Sequence, residues 1–257
     1  MNRLRLLLLS LFYFATVQAQ TNENPIGELS TRLLQNEMLT QRFIRDFVFI
    51  KTNTFKKKAL LDMDKSLARF DDNMNYFALH LPDGNRELHE DYTKLKSFWN
   101  LYRLEITDYE NNRYDKLIRK TKQFDKLMNE FLTDLLPLHK DYSKNKKSIN
   151  TGLLDVENMK AIDNIATSYI LKNTHGDGDN FFNIDFDAIR KRLKKIGKNK
   201  QISGDAREYL LDLNNMLDII ESTYKKKNYN PKMMFSNVSG FSKKSYKVLN
   251  LILQTIK

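Results

Sequence analysis

The chain contains 257 residues, and its 43 Lys and Arg against 32 Asp and Glu give a formal net charge of +11. It has no Cys, only 8 Gly and only 4 Pro. The lack of Cys excludes disulfide scaffolds, thiol nucleophiles and Cys-based metal sites. So few Gly and Pro supply little turn punctuation for a many-stranded sandwich or barrel. The composition therefore favours a protein of long helices.

Residues 1–19 have the pattern of a secretory signal peptide. Arg3 and Arg5 form a short basic region, and an apolar run over residues 6–17 follows them. Val17 and Ala19 then place small or apolar side chains where a signal peptidase reads its cleavage site. The apolar run is shorter than the roughly 20 residues that span a membrane. We expect cleavage after Ala19 and a periplasmic or secreted mature chain with no transmembrane span and no nucleic-acid partner; an uncleaved anchor is the alternative.

The first half of the mature chain predicts four amphipathic helices, because apolar residues recur there at helical spacing. Residues 82–85 (PDGN) form the clearest turn signal. Pro137 is expected to end or kink the fourth helix. Four such helices suit an antiparallel bundle, and they lie over residues 33–50, 60–77, 88–106 and 117–135.

The second half repeats this pattern. Asn230 is a candidate cap before Pro231 at the first position of the last helix. The polar stretch 173–180 does not fit an EF-hand template and is interpreted as a connection. Residues 197–204, with a glycine at each end, predict a further turn. The four helices predicted here begin near residues 153, 186, 209 and 231.

Apolar positions in the two halves correspond at nearly the same offset, which indicates an internal duplication. We therefore predict an all-α fold of tandem antiparallel four-helix-bundle units with long helices. The first unit is placed at residues 20–148 and the second, degenerate unit at residues 149–257. One continuous irregular bundle is the alternative. The corresponding pairs are Phe70 with Phe186, Phe77 with Leu193, Leu95 with Leu213, and Trp99 with Leu217.

Residues 38–47 (MLTQRFIRDF) resemble the box that opens the N-terminal sensor domain of type IV pilus methyl-accepting chemotaxis transducers. The same type of box occurs in the periplasmic domain of nitrate/nitrite sensor kinases. Weaker similarity lies at residues 67–71 (LARFD), at Trp99 with Arg103, and at residues 165–169 (IATSY). The resemblance implies a helical sensor-like domain that binds a small anion or a partner protein.

The chain departs from that family at residues 34–37 (LQNE), where the family carries Gly-Arg-Gln-Arg. In the nitrate sensors, an arginine at the position of Glu37 helps to bind the anion across a dimer interface. A carboxylate there would repel nitrate, so nitrate sensing is disfavoured. The sequence ends without a kinase or methyl-accepting module, and we expect an exported sensor-like domain whose output passes through another protein.

Arg42 and Arg45 lie three residues apart and project from one helix face. Together with Gln41, they are the candidate ligand-binding residues. The guanidinium fork suits a small anion or an acidic partner protein, at the seam of a homodimer through the first helix. The alternative is that both arginines are solvated, with Arg42 paired to Asp46.

The sequence contains no nucleophile–base pair, metal-ligand cluster or phosphate loop in motif form. We therefore predict a non-enzymatic protein without catalytic residues, metal site or cofactor, and place Trp99 in the core. Basic runs at residues 56–58, 190–195 and 225–227 are consistent with contacts to anionic lipid headgroups, cell-wall polymers or acidic proteins, or with solvated helix ends. The main alternative function is a cell-envelope scaffold that binds a protein and no small molecule; an enzyme is a third option.

Overall fold

The computed structural model describes residues 25–138, 142–176, 178–200, 202–226 and 228–255, and the predicted signal peptide at residues 1–19 lies outside them. Within these ranges the fold is all-α, with eight α-helices and no strand. None of the described helices has an apolar stretch sufficient for a membrane crossing. The helices are α1 (Pro25–Lys51), α2 (Lys56–His80), α3 (Arg86–Thr107), α4 (Tyr114–Leu135), α5 (Tyr142–Thr174), α6 (Phe186–Gly197), α7 (Gly204–Lys225) and α8 (Pro231–Leu253).

Local sequence signals define several helix ends as predicted. Asn85 caps α3 by accepting a hydrogen bond from the backbone N–H of Leu88 at 3.1 Å. Asn230 caps α8 in the same way, with Pro231 in the first turn. The helix α4 ends at Leu135, and Pro137 lies in the short 3₁₀ turn that follows. These predictions are confirmed.

The start of α5 differs from the prediction. The helix begins at Tyr142 rather than near Leu153, and the predicted unit boundary between residues 148 and 149 therefore falls inside a continuous helix. The first turns of α5 lack an apolar stripe, because small polar side chains such as Asn145 and Ser148 supply their buried side. Hydrophobic periodicity gives no signal for such a segment.

The eight helices form two antiparallel groups of four, α1–α4 and α5–α8. Pairs of bonds show the antiparallel order. Tyr92 and then Trp99 of α3 donate to Met74 and Asp71 of α2. At the start of α8 and further along it, Asn230 and Ser245 donate to Tyr169 and Asp155 of α5. The two groups pack through α1 and α5. These two helices run in the same direction, since residues early in α1 lie beside residues early in α5 and Arg45 contacts Asp163.

An aromatic cluster fills the first bundle. Phe43, Phe70 and Phe124 surround Trp99, whose ring centroid lies 4.1 Å from that of Phe70. Trp99 is only 2% exposed, which confirms its place in the core. Burial of such large apolar surfaces is the main stabilising contribution to a helical bundle.

The helix α1 is central to the molecule. It packs against α2, α4 and α5, and its residues 27–50 are all buried or partly buried. Its polar side chains are therefore removed from water together with its apolar ones. The buried polar residues of α1 are Ser30, Asn36, Glu37, Thr40, Gln41, Arg45 and Asp46.

Candidate functional site

A cleft of about 580 Å³ lies where α1 and α2 of the first bundle meet α8 of the second. We call it the interbundle cleft. Each helix presents residues at helical spacing, so one stripe of each faces the cleft. The stripes are Leu39, Arg42 and Arg45 on α1; Lys58, Asp62, Lys65, Ser66, Ala68 and Arg69 on α2; and Ser239, Ser242, Lys243 and Tyr246 on α8.

Arg45 is the anchored arginine of the cleft. Its Nε and Nη2 donate to Asp46 Oδ1 at 2.8 and 2.6 Å, and its Nη1 donates to Asp163 Oδ1 at 2.8 Å. Burial opposes the charge of Arg45, but Asp46 and Asp163 outweigh it and raise the pKa of Arg45. Burial also disfavours the charged form of Asp46 and raises its pKa to about 7, while Arg45 opposes this shift. Arg45 therefore joins α1 to α5 and keeps little hydrogen-bonding capacity for a ligand.

Arg42 is the arginine with free donors. Its Nε lies 3.6 Å from Asp163 Oδ2, a distance that allows charge attraction but exceeds a hydrogen bond. Among the described residues, no acceptor bonds Nε or Nη2, although both atoms are buried. Burial lowers the pKa of Arg42, and Asp163 opposes that shift. A buried guanidinium with unused N–H groups is costly for the folded chain, and the oxygen of its ion-pair partner, Asp163 Oδ2, itself has no donor in the described ranges.

Two serines of α8 also line the cleft with buried hydroxyl groups that have no hydrogen-bond partner among the described residues. Ser242 is 95% buried, since its exposed fraction is 5%. Within the described ranges, neither Ser242 Oγ nor Ser239 Oγ has a hydrogen-bond partner. Each hydroxyl can donate one bond and accept two. Each bundle thus contributes unbonded hydrogen-bond donors to the walls of one cleft. The first contributes a guanidinium from α1, and the second contributes two hydroxyls from α8.

The cleft carries an excess of positive charge. Asp46 and Asp163 balance the two arginines of α1, and Lys58 pairs with Asp62 at 3.5 Å. The remaining cations, Lys65, Arg69 and Lys243, form no ion pair with a described acid. The Arg69 guanidinium lies 4.8 Å from the centre of the Tyr246 ring, which positions it between α2 and α8. An anion would therefore find three uncompensated positive groups on the walls of this cleft.

The structure brings Arg42 and Arg45 together but separates Gln41 from them. Gln41 Nε2 donates to Asp125 Oδ2 of α4 at 2.6 Å, on another side of α1. Glu37 also lies away from the cleft and accepts a bond from Lys160 of α5 at 3.1 Å. Burial raises the pKa of Glu37, and Lys160 opposes this shift. Neither Gln41 nor Glu37 lines the interbundle cleft.

The interpretation of Arg42 and Arg45 as solvated residues is wrong. Arg45 is 2% exposed, and the side chain of Arg42 is 16% exposed. Asp46 bonds Arg45 rather than Arg42. Other helices of the same chain cover α1 over residues 27–50, and the homodimer through this helix stays a prediction.

Sequence reasoning missed several residues of the cleft. Ser239 and Ser242 were not singled out, and Arg69 was noted only within the weak similarity at residues 67–71. Asp163, which does not line the cleft but pairs with its two arginines, was also missed. The stripe over residues 239–246 of α8 has helical spacing, but an amphipathic pattern does not reveal which helix it faces. In the part of the chain that the structure describes, no group of three or more His, Asp or Glu is placed to hold a metal ion.

No family model, curated protein or solved structure matches the chain. The resemblance to pilus-transducer sensor domains at residues 38–47 therefore stays a prediction. The case for function rests on the geometry of the interbundle cleft.

Proposed function

We propose that the chain is an exported, non-enzymatic, sensor-like binding domain that takes a small anionic ligand in the interbundle cleft. One observation carries the proposal: Arg42 lines a basic cleft, and two of its nitrogens, Nε and Nη2, are buried and bonded by no described residue. The pilus-transducer resemblance supports the same class of function, because those domains bind ligands or partners and pass the signal onward.

The chemistry of the cleft favours a carboxylate or phosphate group. A planar guanidinium donates two parallel hydrogen bonds to either group, and the hydroxyls of Ser239 and Ser242 add donors from the opposite wall. Desolvation of Arg42 is already part of the folded state, so a ligand gains the bond without removing that side chain from water. The uncompensated Lys65 and Lys243 then attract the anion to the cleft.

The alternative of a cell-envelope scaffold has less support. A scaffold would present a large contiguous apolar surface. Large exposed apolar side chains are dispersed over several described helices, for example Leu79 on α2, Leu101 on α3 and Leu211 on α7. The interbundle cleft, in contrast, offers polar donors beside Arg42 and Arg45.

Thermal-shift measurements with a panel of small anions test the proposal. The panel contains phosphate, sulfate, citrate, succinate, glutamate and sugar acids, each at the same ionic strength. A ligand that binds the native state raises the Tm. We expect at least one anion to raise the Tm of the wild-type chain, and isothermal titration calorimetry then gives its Kd.

Two variants locate the binding. Arg42→Gln removes the free donors, whereas Arg86→Gln removes the same charge from a side chain that is 91% exposed on α3. The Tm shift should disappear in Arg42→Gln and persist in Arg86→Gln. If no anion shifts the wild-type Tm, or if both variants lose the shift equally, the proposal is wrong.

A further inference from the structure

A second concave site lies at the end of the second bundle and shares no residue with the interbundle cleft. It is a groove of about 520 Å³ between the start of α5 and the end of α6. We call it the lysine groove, after Lys146 and Lys147 on α5 and Lys195 and Lys198 at the end of α6. Within the described part of the chain, no Asp or Glu lines it.

The four lysines have no counterions among the described residues. All four are exposed, and no described carboxylate forms an ion pair with any of them. In contrast, many other cations of this chain are paired, as Arg190 is with Asp218 and Glu221. The groove therefore concentrates positive charge that the described residues do not neutralise.

The helix dipole accounts for only half of this charge. Lys195 and Lys198 lie at the C-terminal end of α6, where a cation is favourable. Lys146 and Lys147 lie in the first two turns of α5, nearest the positive end of that helix, and its first turn contains no acidic residue. Cations there gain nothing from the helix. Residues whose charge opposes the helix dipole, with no compensating contact in the fold, are expected at functional sites.

A buried hydrogen bond fixes the two walls of the groove. Asn199, which is 3% exposed, donates from Nδ2 to Thr151 Oγ1 at 3.0 Å, and Thr151 donates to the carbonyl of Lys147 at 2.7 Å. The end of α6 is thereby held against the third turn of α5. The backbone segments that carry the lysines of both walls are thereby fixed relative to one another before any ligand arrives, which lowers the entropy cost of binding.

We propose that the lysine groove binds a short soluble oligophosphate, a chain of closely spaced phosphate groups. Lysine binds phosphate as a point charge, and ammonium groups from two walls can neutralise successive phosphates of one chain. The concave shape suits one oligophosphate chain that is contacted by lysines from both walls. A bilayer has a flat surface, and it would instead contact lysines that protrude from the protein. The same chemistry is present in anionic lipid headgroups, so the experiment separates the two sources.

Isothermal titration calorimetry with sodium tripolyphosphate, at two salt concentrations, tests this site. The groove variant replaces Lys146, Lys147, Lys195 and Lys198 with Gln. The control variant replaces the exposed Lys56, Lys57, Lys226 and Lys232 with Gln, so both variants have the same net charge. We expect the groove variant to bind at least about tenfold more weakly than wild type, with a shallower salt dependence, and the control to stay within about twofold.

The Tm of the groove variant is measured without ligand. It should stay close to that of wild type, because losing Lys146 and Lys147 relieves the unfavourable start of α5 while losing Lys195 and Lys198 removes favourable charges from the end of α6. If the variant fails to fold, the double variant Lys146→Gln/Lys147→Gln replaces it, with Lys56→Gln/Lys57→Gln as control.

Several outcomes would overturn the proposal. These are equal losses of affinity in the groove and control variants, absence of tripolyphosphate binding by the wild-type chain, or orthophosphate bound as tightly as tripolyphosphate. Sedimentation with phosphatidylglycerol vesicles is run in parallel. Groove-dependent binding to vesicles without binding to tripolyphosphate would assign the groove to a membrane surface instead.

Discussion

At the scale of single residues, Asp155 shows how burial controls a carboxyl group. Asp155 is fully buried, and Ser245 donates to its Oδ1 at 2.7 Å. Its Oδ2 has no donor in the described ranges. Burial raises the pKa of Asp155 to about 7, and the bond from Ser245 opposes this shift. Between pH 3.8, the ordinary value, and pH 7, the folded chain binds more protons at this group than the unfolded chain. The stability contributed by this group therefore falls as the pH rises through that window.

The variant Asp155→Asn tests this effect. It removes the charge but keeps the shape and an acceptor for Ser245. At pH 8, we expect its free energy of unfolding to exceed that of wild type by about 1–4 kcal/mol, because each pKa unit corresponds to about 1.4 kcal/mol. At pH 4, the two chains should differ little, since Asp155 is then mostly protonated when folded. Urea denaturation at both pH values measures the difference.

Asp83→Asn serves as the matched control. Asp83 is exposed in the turn before α3, so its replacement should leave the stability unchanged at both pH values. An Asp155→Asn variant that is less stable than wild type at pH 8, or a gain that does not shrink on acidification, would contradict the argument.

At the scale of secondary-structure elements, caps and turns made many helix ends predictable. Asn230 is an example: its Oδ1 accepts from the backbone N–H of Met233 at 3.0 Å. Its own backbone N–H donates to the Tyr169 hydroxyl at 2.6 Å, so the cap also fixes α8 against α5. The cap was predictable because it depends only on neighbours in sequence.

Replacing the cap tests its contribution. Asn230→Ala removes the acceptor, and we expect the free energy of unfolding to fall by about 1 kcal/mol. Asn230→Asp keeps an acceptor and adds a negative charge at the positive end of the helix, so it should retain wild-type stability. Thermal and urea unfolding of both variants measures this. Equal losses in the two variants would show that the side-chain acceptor does not stabilise α8.

The parts that could not be predicted depend on which helices meet. The start of α5 was missed because apolar periodicity is absent there. Gln41 and Arg42 were grouped as candidate ligand-binding residues, and both match the sensor-domain box. Adjacent residues, however, point about 100° apart on a helix, and Gln41 bonds Asp125 of α4 instead. Arg45 meets Asp163 across 118 residues. No periodic pattern specifies that α1 packs against α5.

At the scale of the whole molecule, buried charges cross the interface between the bundles. Arg45 of α1 bonds Asp163 of α5, and Lys160 of α5 bonds Glu37 of α1 at 3.1 Å. Removing one partner of such a buried pair leaves an uncompensated charge and costs roughly 3–5 kcal/mol. The helices α1 and α5 also share one continuous apolar core. If α1 or α5 unfolds, the apolar core and buried charges of the other bundle become exposed. We therefore predict that the two bundles unfold together as one cooperative unit.

The one tryptophan of the chain provides a direct test of this cooperativity. Trp99 lies in the core of the first bundle, so its fluorescence follows that bundle alone, whereas far-UV circular dichroism follows the helices of both. We expect the two thermal transitions to coincide, as they do for a two-state domain. In Lys160→Met, which leaves Glu37 unpaired, both transitions should move together to lower temperature. A fluorescence transition that separates from the circular-dichroism transition in the wild-type chain would instead show that the bundles unfold independently, and the buried charges would then not couple them.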